Sequence, residues 1–332
     1  TRLFFTSMLL LLSATVIGAE MPGAGGNAGN GRPPLTVDAF SVVRIHARAV
    51  PDARSRSTLG PEREGTGIVI DSSGLILTIG YLIQEAESVE INAADGRKSP
   101  ATVIAYDYAT GFGLLRALTP PVIKPIEFGE SKGLPDREPV LIVGFDGVAP
   151  AFVVSKRPFA GNWEYLLDEA IFTAPATVNW QGAALVNKAG KLIGVGSLAV
   201  GDATGGRQVP GNMFVPIDLL KPILGNLIAQ GKTGEKPRPW LGLNTQDLQG
   251  KLMITRVSPD SPADKAGLSA GDIILGVRGE QFKGHADFYK KVWSSGEAGA
   301  EVQLDVLKGT EVRKLGVKSI DREAYLRPKP VY

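Results

Sequence analysis

Residues 65–83 read GTGIVIDSSGLILTIGYLI. Two apolar runs, 67–70 and 75–78, flank the turn-forming residues Asp71, Ser72, Ser73 and Gly74. That layout predicts two short strands. Upstream, residues 41–48 alternate, with Val43, Ile45 and Ala47 on one face and Arg44, His46 and Arg48 on the other. This is the pattern of a half-buried strand. Downstream the signal recurs at 88–92, 102–106, 113–116, 139–143, 151–154, 169–173, 183–187, 192–197 and 213–216. Many short strands at this spacing predict a mainly β fold, a barrel or a sandwich.

The pattern changes after residue 216. Leu219, Leu220, Ile223, Leu224, Leu227 and Ile228 recur at helical spacing, Gly231 ends the run, and Pro222 is placed in its first turns. Residues 232–239, KTGEKPRP, read as a polar linker. A second, smaller unit follows over 240–321. It is expected to hold strands at Leu243, 252–257, 273–277, 301–308 and from Glu311, a helical turn near 262–266, and a helix over 286–294. The tail 322–332 reads as loosely structured.

A chain of 332 residues has room for two or three domains, and 43% apolar with 21% charged residues is ordinary for a globular protein. A net charge of +2, with no basic block carrying interleaved aromatics, argues against nucleic acid as a partner. Cys is absent, which excludes disulfides, thiol nucleophiles and iron–sulfur sites. His occurs only at His46 and His285, so a His-rich metal centre is not expected, and neither is a cofactor. His46 reads as a solvent-facing strand residue and His285 as a surface residue near a helix start. Residues 1–19, TRLFFTSMLLLLSATVIGA, carry a positive start, a short apolar core and a small-residue end. They read as a secretory signal peptide, truncated in its n-region since the first residue is Thr, and too short for a lasting membrane span. Residues 20–34, rich in Gly, Asn and Pro, read as a disordered tether. The expected destination is the periplasm or cell envelope.

Residues 65–83 resemble the opening motif of the HtrA/Deg family of trypsin-like serine proteases, G-S-G-x-I-I-D-x-x-G-x-I-L-T-N-x-H-V-V. Further matches follow in order: Asp95-Gly96-Arg97 with 101–107, 128–131, 140–144, 185–195 and Phe214-Val215-Pro216-Ile217. The resemblance covers 35–231 and implies a double β-barrel. It also places the catalytic triad. Tyr81 stands at the histidine position, Gly111 at the aspartate position and, counting back from Leu185-Val186-Asn187, Gln181 at the serine position. Asp107 matches a separate, turn-associated family aspartate. Asn179 replaces the first glycine of the nucleophile motif, which disfavours the oxyanion loop if that position needs positive φ. Tyr81, Trp180 and Gln181 either fill the former cleft or line a binding groove.

Residues 240–321 resemble the PDZ domain that follows such proteases, through Trp240-Leu241-Gly242-Leu243 and the run VSPDSPADKAGL with AGDII at 257–274. The resemblance implies peptide capture by sheet extension, with the terminal carboxylate held by backbone N–H groups of the 240–243 loop. Phe288 and Val292, at i and i+4, share a helix face pointing at either the groove or the core.

A triad enzyme needs a nucleophile, a proton acceptor and an orienting carboxylate. With all three positions changed, the expectation is a catalytically inactive HtrA-like protein. It would bind unfolded segments or C-termini as an envelope scaffold, regulator or quality-control factor. A trimer, or an assembly with an active relative, is a further expectation from the resemblance. The alternative is an active serine endopeptidase using a non-standard site. A third possibility is a holdase without preference for a free carboxylate.

Overall fold

The computed structural model describes residues 40–326. The expected signal peptide and tether lie outside the described residues, as does 327–332.

The first barrel is built from β1 (Val42–Ala49), β2 (Glu62–Val69), β3 (Leu75–Ile79), β4 (Ala86–Asn92), β5 (Lys98–Tyr106) and β6 (Phe112–Ala117), closed in the order β1-β2-β3-β6-β5-β4. A short helix α1 (Arg56–Leu59) bridges β1 and β2. β1 buries Val43, Ile45 and Ala47 and exposes Arg44, His46 and Arg48, the alternation read in the sequence. All five residues of β3 are buried, because the second barrel covers the face that the first leaves open.

The second barrel comprises β7 (Pro139–Gly144), β8 (Gly147–Gly161), β9 (Tyr165–Ala174), β10 (Ala184–Val186), β11 (Leu192–Val200) and β12 (Gly211–Pro216), closed in the order β10-β11-β12-β9-β8-β7. One apolar cluster runs through both barrels, from Ile45 and Phe112 to Phe172 and Val215. β8 and β9 are longer than the sequence signal suggested. Their hairpin continues to the pair Gly161↔Tyr165 and turns through Asn162, Trp163 and Glu164. The extension was hidden by Pro158, which breaks a strand pattern. The ladder accommodates it at a register shift between Arg157 and Phe159.

The expected helix over 217–230 is shorter. A 3₁₀ turn at Ile217–Leu219 is followed by α2 (Leu224–Gln230), so Pro222 precedes the α-helix instead of sitting in it. Proline has no N–H to give and crowds the preceding turn, which delays the helix. Gly231 closes it with φ 69°. Asp218 pins this corner. Its Oδ2 accepts from the Ser131 amide, Ser131 Oγ and the Lys132 amide, each at 2.8 Å, and Oδ1 accepts from Lys221 at 2.5 Å. Burial raises the carboxyl pKa, but the hydrogen bonds outweigh it and hold the group well below the carboxylate range. The stabilisation is therefore present above the unfolded pKa and lost as pH falls through the depressed folded value. Asp218→Asn is expected to cost about 1.5–3 kcal/mol at pH 7. Urea melts at pH 7 and pH 2 check this; the gap to wild type should shrink at the acid end.

The last unit is a five-stranded sheet in the order β13-β14-β15-β16-β17, from β13 (Leu243–Leu248), β14 (Lys251–Val257), β15 (Ile273–Val277), β16 (Glu301–Lys308) and β17 (Glu311–Lys318). The helices α3 (Pro262–Lys265) and α4 (Gly284–Trp293) pack on it. Ser261 caps α3 by accepting from the Asp264 amide. The described part of the tail, 322–326, is more ordered than expected: α5 (Arg322–Tyr325) places the Tyr325 ring 4.6 Å from that of Trp240. Tyr325 also donates to Pro259 O at 2.8 Å.

Candidate functional site

Positions 81, 111 and 181 are far apart in sequence and line one cleft of about 480 Å³ between the barrels and the C-terminal unit. Its wall carries a cluster of aromatic side chains, among them Trp163, Tyr165, Trp180 and Trp240, alongside Ser and Thr hydroxyls and the arginines Arg54, Arg256 and Arg322. No Asp, Glu or His occurs among the described residues that line it.

Tyr81 lies in the 3₁₀ turn Gly80–Leu82 that follows β3. Its hydroxyl donates to Ser197 O at 2.9 Å. Burial pushes the phenol pKa up, against a smaller lowering by a side-chain hydrogen bond with Trp180. Tyr81 is thus a neutral donor at physiological pH and a poor proton acceptor.

Gly111 has φ 87°; its amide donates to Asp107 O and its carbonyl accepts from Gly80, both at 2.7 Å. A Cβ built here would stand 3.3 Å from the Tyr165 hydroxyl. Tyr165 comes from the far barrel and donates to Thr110 O at 2.6 Å. Its side chain therefore crowds the space beside position 111. Asp107 is spent on its own turn, accepting from the Ala109 and Thr110 amides at 3.2 and 3.0 Å and from Thr110 Oγ1.

Gln181 sits in the loop before β10, where its carbonyl accepts from the Thr66 amide at 2.8 Å. The amides of Gly182 and Ala183 donate to Gly196 O and Trp180 O at 2.9 and 3.0 Å. Asn179 is not among the residues with positive φ, so the conformation in doubt at that position is not the one this loop adopts. The two histidines lie elsewhere. His46 is half exposed on the outer face of β1, 2.9 Å from Glu62, and His285 lies in α4, 3.2 Å from Thr245 O. Among the described residues no group of three or more His, Cys, Asp or Glu could hold a metal ion.

The 240–243 loop is engaged by a residue that sequence reasoning missed. The Glu164 carboxylate, from the tip of the β8–β9 hairpin, accepts from the amides of Leu241, Gly242 and Leu243 at 2.9, 2.7 and 2.8 Å. Burial pushes this carboxyl up, while the three amides pull it down. Gly242 is required here: φ is 90°, and a Cβ would lie 2.3 Å from that of Ser261. Trp240 packs on Tyr325 and bonds to Ile320, facing the cleft. Phe288 and Val292, open between groove and core in the sequence, are both buried at 1% in the core of the C-terminal unit. The one available hint of Glu164 is an acid and a tryptophan together in a three-residue turn; its target lies 77–79 residues away.

Residues 65–195 match the model of the trypsin-like peptidase domain, and 239–318 that of the PDZ domain. Among curated relatives, the chain is 28% identical over 264 residues to the periplasmic pH-dependent serine endoprotease DegQ of Escherichia coli, covering 74% of this chain and 56% of that protein. It is 26% identical over 334 residues to a probable periplasmic serine endoprotease DegP-like of Pseudomonas fluorescens, covering 94% and 67%. The chain spans 51–67% of the length of the curated relatives it matches. The solved HtrA-type protease AlgW with decapeptide superposes with TM-score 0.51 at 20% identity, over 89% of this chain and 98% of that one. The serine endoprotease from Yersinia pestis gives 0.50 at 21% identity, over 87% and 99%. At such identities these structures support the fold. The expectation of a non-enzyme is corrected by these comparisons: the curated relatives are named serine endoproteases, and that points to protease activity. No helix among the described residues is long and apolar enough to cross a membrane, and the relatives named above are periplasmic. The two matches and their order give a trypsin-like peptidase domain followed by one PDZ domain, in a chain similar in sequence to proteins named HtrA and DegP-like serine proteases.

Proposed function

We propose that this chain is an exported, polypeptide-binding endopeptidase of the HtrA/Deg type that works without a Ser–His–Asp triad. Extended segments lie in the cleft beside Tyr81 and Gln181, and C-termini are taken by the 240–243 loop. Export is proposed from residues 1–19 and from the periplasmic relatives. Tyr81, Gly111 and Gln181 are proposed as the residues at the triad positions. The observation that carries this reading is a cleft with aromatic, hydroxyl and guanidinium groups on its wall and, among the described residues, neither imidazole nor carboxylate. Such a wall grips apolar side chains and offers hydroxyl and amide hydrogen bonds. It offers hydrolysis desolvation, positioning, hydroxyl and amide donors and the guanidinium groups of Arg54, Arg256 and Arg322, but no imidazole or carboxylate to take a proton. Loss of a nucleophile or base from a triad costs about 10⁶ in kcat, and about 10³–10⁴ over water remains. Hydrolysis is thus slow and binding is the stronger property.

The test measures both on the purified protein with a fluorescent unfolded polypeptide. The expected result is saturable binding, about tenfold weaker in Trp180→Ala, with slow turnover that resists fluorophosphonate reagents. Covalent labelling by a fluorophosphonate, blocked by a serine-protease inhibitor, would show an activated hydroxyl and overturn the assignment at 81, 111 and 181. Turnover indistinguishable from buffer would remove the endopeptidase part.

A further inference from the structure

The contacts of Glu164 resemble those of a bound ligand more than those of an ordinary turn residue. Three consecutive amides converge on one carboxylate. This is the geometry by which a backbone loop captures a chain terminus. Next to it, the Thr245 amide donates to Asn162 O at 3.0 Å. Thr245 lies on β13, the edge strand of its sheet, so the hairpin tip makes one main-chain bond of the kind an added strand would make. Leu166, just past the turn, is buried in the same apolar cluster as Leu243, Phe288 and Val292. Tyr289 of α4 holds the tip from the other side, donating to Gly161 O at 2.6 Å and accepting from the Glu164 amide at 3.2 Å.

Local conformation points the same way. Glu164 has φ 58°, in the left-handed region. The last residue of a three-residue hairpin turn takes this conformation, and glycine is its usual occupant. Any other L residue gives up about 1–2 kcal/mol there. A glutamate at such a place is unfavourable for the turn itself and is compensated by what its side chain reaches.

We propose that Glu164 is an internal ligand: it fills the carboxylate-binding loop Leu241-Gly242-Leu243 in cis, and a polypeptide C-terminus enters only by displacing it. The incoming terminus would also replace the Asn162–Thr245 bond. The free loop is then a minor state, and the apparent affinity for a C-terminal peptide is reduced by the fraction of loop that is open.

This rests on the proposed capture of C-termini by that loop, so the experiment reads the two separately. Full-length wild type, Glu164→Gln and Glu164→Ala are compared. Thermal unfolding confirms that each is folded; the glutamine variant keeps the side-chain size and one acceptor. Hydrogen exchange at the 241–243 amides needs no ligand. It should be slow in wild type, intermediate in Glu164→Gln and fastest in Glu164→Ala. A fluorescent peptide ending in a free valine carboxylate should bind Glu164→Ala about 10–100-fold more tightly than wild type, and the same peptide as a C-terminal amide should bind neither. Equal exchange and equal affinity across all three proteins, with the amide peptide unbound, overturn the internal ligand and leave C-terminal capture intact. Faster exchange in Glu164→Ala with no discrimination between carboxylate and amide supports the internal ligand and overturns C-terminal capture.

Discussion

Gly182→Ala should lose about 2–5 kcal/mol of stability, enough to unfold a large fraction of many single domains. Gly182 has φ 72°, so alanine there gives up about 1–2 kcal/mol in conformation alone. The larger part is steric. A Cβ would lie 2.1 Å from Thr66 O and 2.6 Å from Thr78 Oγ1. Neither can retreat cheaply. Thr66 O is backbone of β2 and already accepts from Thr78 Oγ1 at 2.7 Å, and both threonines are buried. Relief would require pulling the loop before β10 off the first barrel, which also breaks the Thr66–Gln181 bond. Overpacking of this kind adds about 1–3 kcal/mol. Gly190→Ala is the control. Its φ is 76°, but a Cβ there meets nothing within 4 Å, so only the conformational cost remains. Urea melts of the two variants should differ by the steric part; equal midpoints would mean that the barrels are not locked together at this loop.

Strand alternation was legible wherever a strand had one face in the core and one in water, as in β1. The turn residues 71–74 marked the end of β2 and the start of β3, while the first half of β2, from Glu62, was not read. The outer half of the β8–β9 hairpin was not legible, since its residues answer to the C-terminal unit as much as to their own barrel. Leu166 is buried in one apolar cluster with Phe288 and Val292, which lie more than a hundred positions downstream. The candidate site divides likewise. Motif spacing was enough to bring Tyr81, Gly111 and Gln181 to one cleft. Spacing carries no trace of Tyr165 reaching across from the other barrel, or of Glu164 reaching into the PDZ loop. The expectation of no enzyme failed at another level: it extrapolated from three positions, whereas the likeness to named endoproteases extends over most of the chain.

Rebuilding the triad is expected to fail at position 111 and to be rescued by a residue from the other barrel. Asp alone is worth about 10⁴ in kcat where serine and histidine are already in place, out of a total near 10⁶. Tyr81→His with Gln181→Ser should therefore raise turnover by about a hundredfold over wild type. Adding Gly111→Asp should give almost nothing more. The backbone there has φ 87°, unfavourable for a side chain, and the new Cβ meets the Tyr165 hydroxyl at 3.3 Å and Ile79 Cδ1 at 3.4 Å. Truncating Tyr165 to alanine in the triple variant opens that space, and up to about 10⁴ more becomes available. Tyr165→Ala alone should do nothing of the kind, since it frees room for a group that is absent. The signature is a strong coupling between positions 111 and 165, read as kcat on one unfolded substrate across the double-mutant cycle. Independent effects, or a triple variant already running about 10⁴ above the double with Tyr165 intact, would mean that this tyrosine is not what closes the acid's place.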